Sequence, residues 1–188
     1  MHLASILTIA PIFFLASASP LEIRQDTLQP FNVTSSWSES PPGRPGSSPW
    51  RLIRASAIDP NSYTLKRGSF NYTVPGGSQG LNCVARWYRG ESPQGRTWPC
   101  DSIADGHWAL QVLPGSSGDT TYTAISDYKL KFIHAVEPGM SFENERYEAE
   151  VSLQTGVNLI GRCSSGGVCN YVLGAEYKPL LAPAVKVL

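Results

Sequence analysis

Apolar residues in this chain recur at every second position, in short runs that glycine, proline, asparagine and aspartate repeatedly cut off. W-R-L-I-R-A-S-A-I stops at D-P-N, S-F-N-Y-T-V at P-G-G, L-N-C-V-A-R-W-Y at R-G, and H-W-A-L-Q-V-L at P-G-S-S-G-D. T-Y-T-A-I-S, Y-K-L-K-F-I-H-A-V, R-Y-E-A-E-V-S-L-Q, V-N-L-I-G and V-C-N-Y-V-L continue the series. In Tyr128 to Val136, Tyr128, Leu130, Phe132 and His134 share one face and Lys129 and Lys131 take the other, until Ile133 breaks the pattern. Period two belongs to a half-buried strand, and no segment offers a long, capped helical period. The expected fold is all-β, a compact and mostly antiparallel β-barrel or sandwich. No repeat of fixed length points to a propeller or solenoid.

The chain opens on an uncharged apolar run, Ile6 to Leu15, followed by Ala16-Ser17-Ala18. The run is too short to span a bilayer, which takes roughly 20 residues, and an A-x-A site follows it, so residues 1–18 read as a cleaved secretory signal. Residues 19–49 are rich in serine, proline and glycine and are expected to form a flexible or extended lead-in outside the core. A single domain is expected over 50–188. Two N-x-S/T sequons, at Asn32 and Asn71, are candidate glycosylation sites. The protein is expected outside the cell, without membrane insertion.

In an oxidising compartment four cysteines form an even set. Zinc would want closer cysteine spacing or nearby histidine partners, and a redox site would want C-x-x-C, so neither a metal nor another cofactor is expected. Cys163 and Cys169 flank a serine-glycine turn, and a local bridge between them leaves Cys83 to pair with Cys100. The two crossed pairings stay open at this stage.

Fifteen basic residues balance fifteen acidic ones, which disfavours nucleic acid as a partner. Glu148 and Glu150 share the outward face of a strand, as an inverting glycosidase pair could, but such pairs normally come from separate elements. His107, with Asp101 and Asp105 close in sequence, could sketch a base and its orienting acid, yet no G-x-S-x-G elbow supplies a nucleophile. No catalytic residue is therefore assigned, and the chain is read as a non-enzyme. The stronger signal is aromatic. Arg86, Trp87, Tyr88, Arg89 and Trp98 sit on the two arms of the segment that a Cys83–Cys100 bridge would close, and Trp, Tyr and Arg dominate binding hot spots. They are the candidate binding surface.

The order of these features resembles the Alternaria major-allergen family, small secreted β-barrel proteins of filamentous fungi that include effectors and elicitors. The likeness is carried by the leader ending A-S-A-S-P-L-E-I-R-Q-D-T, by Trp50-Arg51-Leu52-Ile53, and by Ser69 to Val74 running through P-G-G to Leu81-Asn82-Cys83. Thr97-Trp98-Pro99-Cys100 and the Cys163/Cys169 turn complete it. The resemblance implies a barrel with bridges Cys83–Cys100 and Cys163–Cys169, no assigned catalytic residue, and an allergen-like role. Implied partners are a host defence protein or a small phenolic ligand, and a cell-wall component is a further expected partner. The allergen type carries an extra N-terminal cysteine that this chain lacks, so a monomer or non-covalent dimer is expected. The competing expectations are a cell-wall polysaccharide hydrolase using Glu148 or Asp105, and a structural wall protein.

Overall fold

The computed structural model describes residues 27–40, 50–88, 90–115, 127–138 and 144–187. The expected leader, the whole 41–49 stretch, Arg89 and the T-Y-T-A-I-S run lie outside them. The regular structure of the described residues is almost all strand: β1 (Phe31–Glu39), β2 (Trp50–Asp59), β3 (Tyr63–Arg67), β4 (Phe70–Val74), β5 (Ser78–Tyr88), β6 (Thr97–Pro99) and β7 (Gly106–Pro114). There follow β8 (Asp127–Val136), β9 (Glu145–Gln154), β10 (Leu159–Cys163), β11 (Cys169–Leu173), a 3-10 turn at Ala175–Tyr177, β12 (Leu180–Ala182) and β13 (Ala184–Lys186).

One sheet runs β10-β11-β1-β2-β5, with β12 pairing β1 beside β11. A second runs β13-β9-β8-β7-β6, and β3 and β4 form a separate hairpin. All strand pairings are antiparallel. The all-β, antiparallel expectation holds and its barrel alternative is corrected here: no ladder among the described residues joins the two large sheets, so both stay open. They meet instead through side chains. Phe31 of β1 packs edge-on against Trp108 of β7 at 5.3 Å, and a single apolar cluster takes residues from both sheets. Alternation along each strand sends Leu130 and Phe132 of β8 and Tyr147, Ala149, Val151 and Leu153 of β9 into it.

The lead-in reading also changes. Phe31–Glu39 is an interior strand, flanked by β2 on one side and by β11 and β12 on the other, with Phe31, Val33 and Trp37 buried. The serines that made this segment look like linker alternate with those anchors, Ser36 and Ser38 facing outward.

Both disulfides follow the local pairing. Cys163–Cys169 closes the β10–β11 hairpin, where the two residues face each other in register. Cys83–Cys100 ties β5, an edge of the first sheet, to the end of β6, an edge of the second. At that point β5 bulges between Gly80 and Cys83, with Asn82 held at φ 50°. The Asn82 amide donates to Asp101 Oδ2 at 2.6 Å, and the Asp101 amide donates to the Leu81 carbonyl at 2.8 Å. The bulge therefore re-aims β5 while fastening it to the β6–β7 turn. On the far side the chain turns at Pro183, leaving β12 on the first sheet and β13 on the second.

Candidate functional site

The outward face of the first sheet follows from strand register. Arg162, Asn170, Ser38, Leu52 and Arg86 lie side by side across five strands. Four interstrand steps make this row roughly 19 Å long. The next row reads Ile160, Val172, Ser36, Arg54 and Val84, which sets Arg54 diagonal to Arg86. Trp50 and Tyr88 pair at the end of β2 and β5, and the Arg86 guanidinium lies 5.5 Å over the Trp50 ring. Thr34 and Ser56 share a hydroxyl contact at 2.6 Å on the same face. Arg54, Arg86 and Arg162 are exposed and have no ion-pair partner among the described residues. The outward positions of β1, β2, β5, β10 and β11 carry no carboxylate. A guanidinium stays charged at any ordinary pH, so the face is permanently cationic although the chain is neutral overall.

The expected binding surface is thus divided by strand alternation. Arg86 and Tyr88 belong to the exposed face. Trp87 points the other way, is buried, and packs near the half-buried Trp98 at 6.5 Å between ring centres. Arg89 lies outside the described residues. Arg54, Arg162 and Trp50 were missing from the expectation because their membership depends on partner strands distant in sequence. Of the sequons, Asn32 faces outward on β1 between Ile58 and Leu181, and Asn71 is exposed on β4.

The other expected chemistries resolve into ion pairs. Lys131 contacts Glu148 at 2.9 Å and Glu150 at 3.1 Å, and Arg146 also contacts Glu148. Burial alone would raise the Glu148 carboxyl, but the Lys131 ammonium and the Arg146 guanidinium outweigh it and hold it below the usual carboxylate range. The same carboxylates, Glu148 foremost, push the Lys131 ammonium up. His107 faces Glu137 at 3.5 Å, not Asp101 or Asp105. Asp105 instead accepts from the Tyr72 hydroxyl at 3.1 Å.

A polar chain that sequence reasoning missed crosses the core. Asp59, at the inner end of β2, and His134 of β8 are both fully buried, and Asp59 Oδ2 lies 2.8 Å from His134 Nδ1. His134 Nε2 lies 3.2 Å from the Ser78 hydroxyl, to which Trp108 Nε1 donates at 3.0 Å. The Trp108 and His134 rings stack at 4.4 Å, 6° from parallel. Asp59 also accepts from the Tyr63 hydroxyl at 2.5 Å, and from the Asn61 amide and side chain at 2.9 and 2.7 Å. Burial, and then the bond to Asp59, drive the Tyr63 phenol far above its ordinary value. Gly80 makes room for the indole, since a Cβ there would sit 2.7 Å from the Trp108 ring. Ser78 and Asn61 are partly exposed, and Ser78 stands at one wall of a groove of about 430 Å³ lined by residues of 74–81 and 101–105.

Comparison of the chain with protein-family models, curated proteins and solved structures finds no match. With no match and with open sheets, the likeness to the Alternaria allergens fails, and the barrel and allergen-like role that it implied fall with it.

Proposed function

We propose that the chain is an extracellular binding protein whose cationic sheet face holds an acidic polysaccharide. The observation that carries this reading is the set of three unpaired arginines, Arg54, Arg86 and Arg162, on a face with no outward carboxylate. Guanidinium forks match carboxylates two bonds at a time. Between the arginines stand the hydroxyls and amide of Ser36, Ser38 and Asn170, and at one end the rings of Trp50 and Tyr88. Hydroxyl partners and an aromatic edge suit sugar rings, and a roughly 19 Å row suits several consecutive units of an extended chain. The apolar leader run and the two disulfides, which persist in oxidising compartments, support placement outside the cell.

The test is titration calorimetry with polygalacturonate and, as a neutral control, dextran. Binding to the acidic polymer alone, weakening steeply with added salt, is expected. Each of Arg54→Glu, Arg86→Glu and Arg162→Glu should weaken it by about tenfold, since a charge-assisted bond contributes roughly 1.5 kcal/mol. Equal binding of dextran, or triple charge reversal without effect, refutes the reading. Binding of acidic proteins but of no polysaccharide keeps the face and changes its partner.

A further inference from the structure

We propose that Ser78, His134 and Asp59 form a nucleophile, base and positioning acid, and that the groove beside Ser78 hydrolyses short-chain acyl esters. The hydrogen-bond polarity is dictated link by link. An indole N–H only donates, so Trp108 fills an acceptor site on the Ser78 oxygen and leaves that hydroxyl's single proton for another partner. His134 Nε2, at 3.2 Å, is that partner. On the other side of the ring Nδ1 faces a carboxylate, which only accepts, so Nδ1 carries the imidazole proton and Nε2 presents its lone pair to Ser78. A base within reach of a hydroxyl, oriented by a third group, is the arrangement that activates a serine.

The supporting shell is rigid. Asp59 is fixed by Tyr63 and Asn61, and the imidazole is clamped against Trp108, so neither ring nor carboxylate can rotate away. The three groups come from strands remote in sequence, on β2, β5 and β8; Ser78 lines the groove, and His134 and Asp59 are buried behind it.

The reaction balances with water as the only co-reactant. The Ser78 oxygen adds to the ester carbonyl carbon as its proton passes to His134 Nε2. The C–O bond to the alcohol then breaks, and the same proton goes to the departing oxygen, leaving an acyl ester on Ser78. Water repeats the sequence and releases the carboxylic acid, restoring Ser78 and the unprotonated Nε2. Asp101 and Asp105 at the groove wall disfavour anionic substrates, and the groove volume suits a small, uncharged acyl group.

The protein is incubated with a fluorophosphonate probe and mapped by peptide mass spectrometry, and turnover of p-nitrophenyl acetate is followed in parallel. A covalent adduct on Ser78 and steady turnover are expected, with turnover falling at least about 100-fold in Ser78→Ala. Labelling needs no variant, so it stands even if Ser78→Ala folds poorly. Absence of an adduct on Ser78, or turnover in a folded Ser78→Ala that matches the parent, overturns the proposal and leaves the chain as a structural network. Polysaccharide binding on the opposite face of the sheet is read independently, so either can fail alone.

Discussion

Replacing Asp59 by asparagine keeps the shape of the side chain and tests the buried network directly. One carboxylate oxygen accepts from Asn61 twice, and the other accepts from Tyr63 and His134. Asparagine offers one carbonyl oxygen and one NH2, so with the NH2 toward Asn61 two donors face a donor, and with it toward Tyr63 and His134 both of those groups must turn from donor to acceptor. Bonds to a charged group contribute roughly 1.5–3 kcal/mol each, and orphaned buried donors cost a similar amount, so the loss is about 3–5 kcal/mol. That is a large part of a typical domain stability of about 5–15 kcal/mol. Urea unfolding followed by tryptophan fluorescence should show the midpoint falling by about 2 M for a slope near 2 kcal/mol/M. Tyr63→Phe should cost less alone and should add little on top of Asp59→Asn, because the two share one bond. A midpoint shift below about 0.3 M, or full additivity of the pair, refutes the assignment of these donors to Asp59.

Gly80→Ala drives a methyl into the Trp108 ring and should cost about 1–3 kcal/mol, seen as a lower urea midpoint and a shifted tryptophan emission. By loop closure, removing Cys83–Cys100, with a separation of 17, should cost about 3 kcal/mol, and removing Cys163–Cys169, with a separation of 6, about 2 kcal/mol. Paired serine variants compared by thermal melting check that order, and the reverse ranking would count against it. Glu148, held below its ordinary value, contributes stability that is present above that value and lost as pH falls through the lowered one. Glu148→Gln should therefore flatten the acid side of a stability–pH profile below the ordinary carboxylate range, while an unchanged profile would mean that the Lys131 and Arg146 contacts do not hold in solution.

β9 and the first half of β8 were legible because apolar and polar residues alternate there, up to the break at Ile133. Tyr128, Leu130, Phe132 and His134 were read on one face, and that face is the core. The same rule applied to Arg86-Trp87-Tyr88 would have separated Trp87 from its neighbours, yet residue type outweighed period there. β1 was hidden by its serines, since composition suggested linker where Phe31, Val33 and Trp37 kept strict spacing. Closure into a barrel was beyond reach, because it depends on whether edge strands pair and not on how many strands exist. The Asp59–His134–Ser78 chain had no local signature either. Its members are 75 and 56 residues apart, and each sat in a plausible turn or strand on its own.

The two sheets are joined at opposite sides by different means, a covalent bond between β5 and β6 on one and the continuous β12–Pro183–β13 segment on the other. Mechanically this is a hinged case with a latch. The C-terminal segment is the hinge, and the Cys83–Cys100 bond is the latch, set close to the groove in which Ser78 lies. Moving from an oxidising to a reducing environment would open the latch beside the groove and also the Cys163–Cys169 staple at the Arg162 end of the arginine row, while the C-terminal spine stays whole.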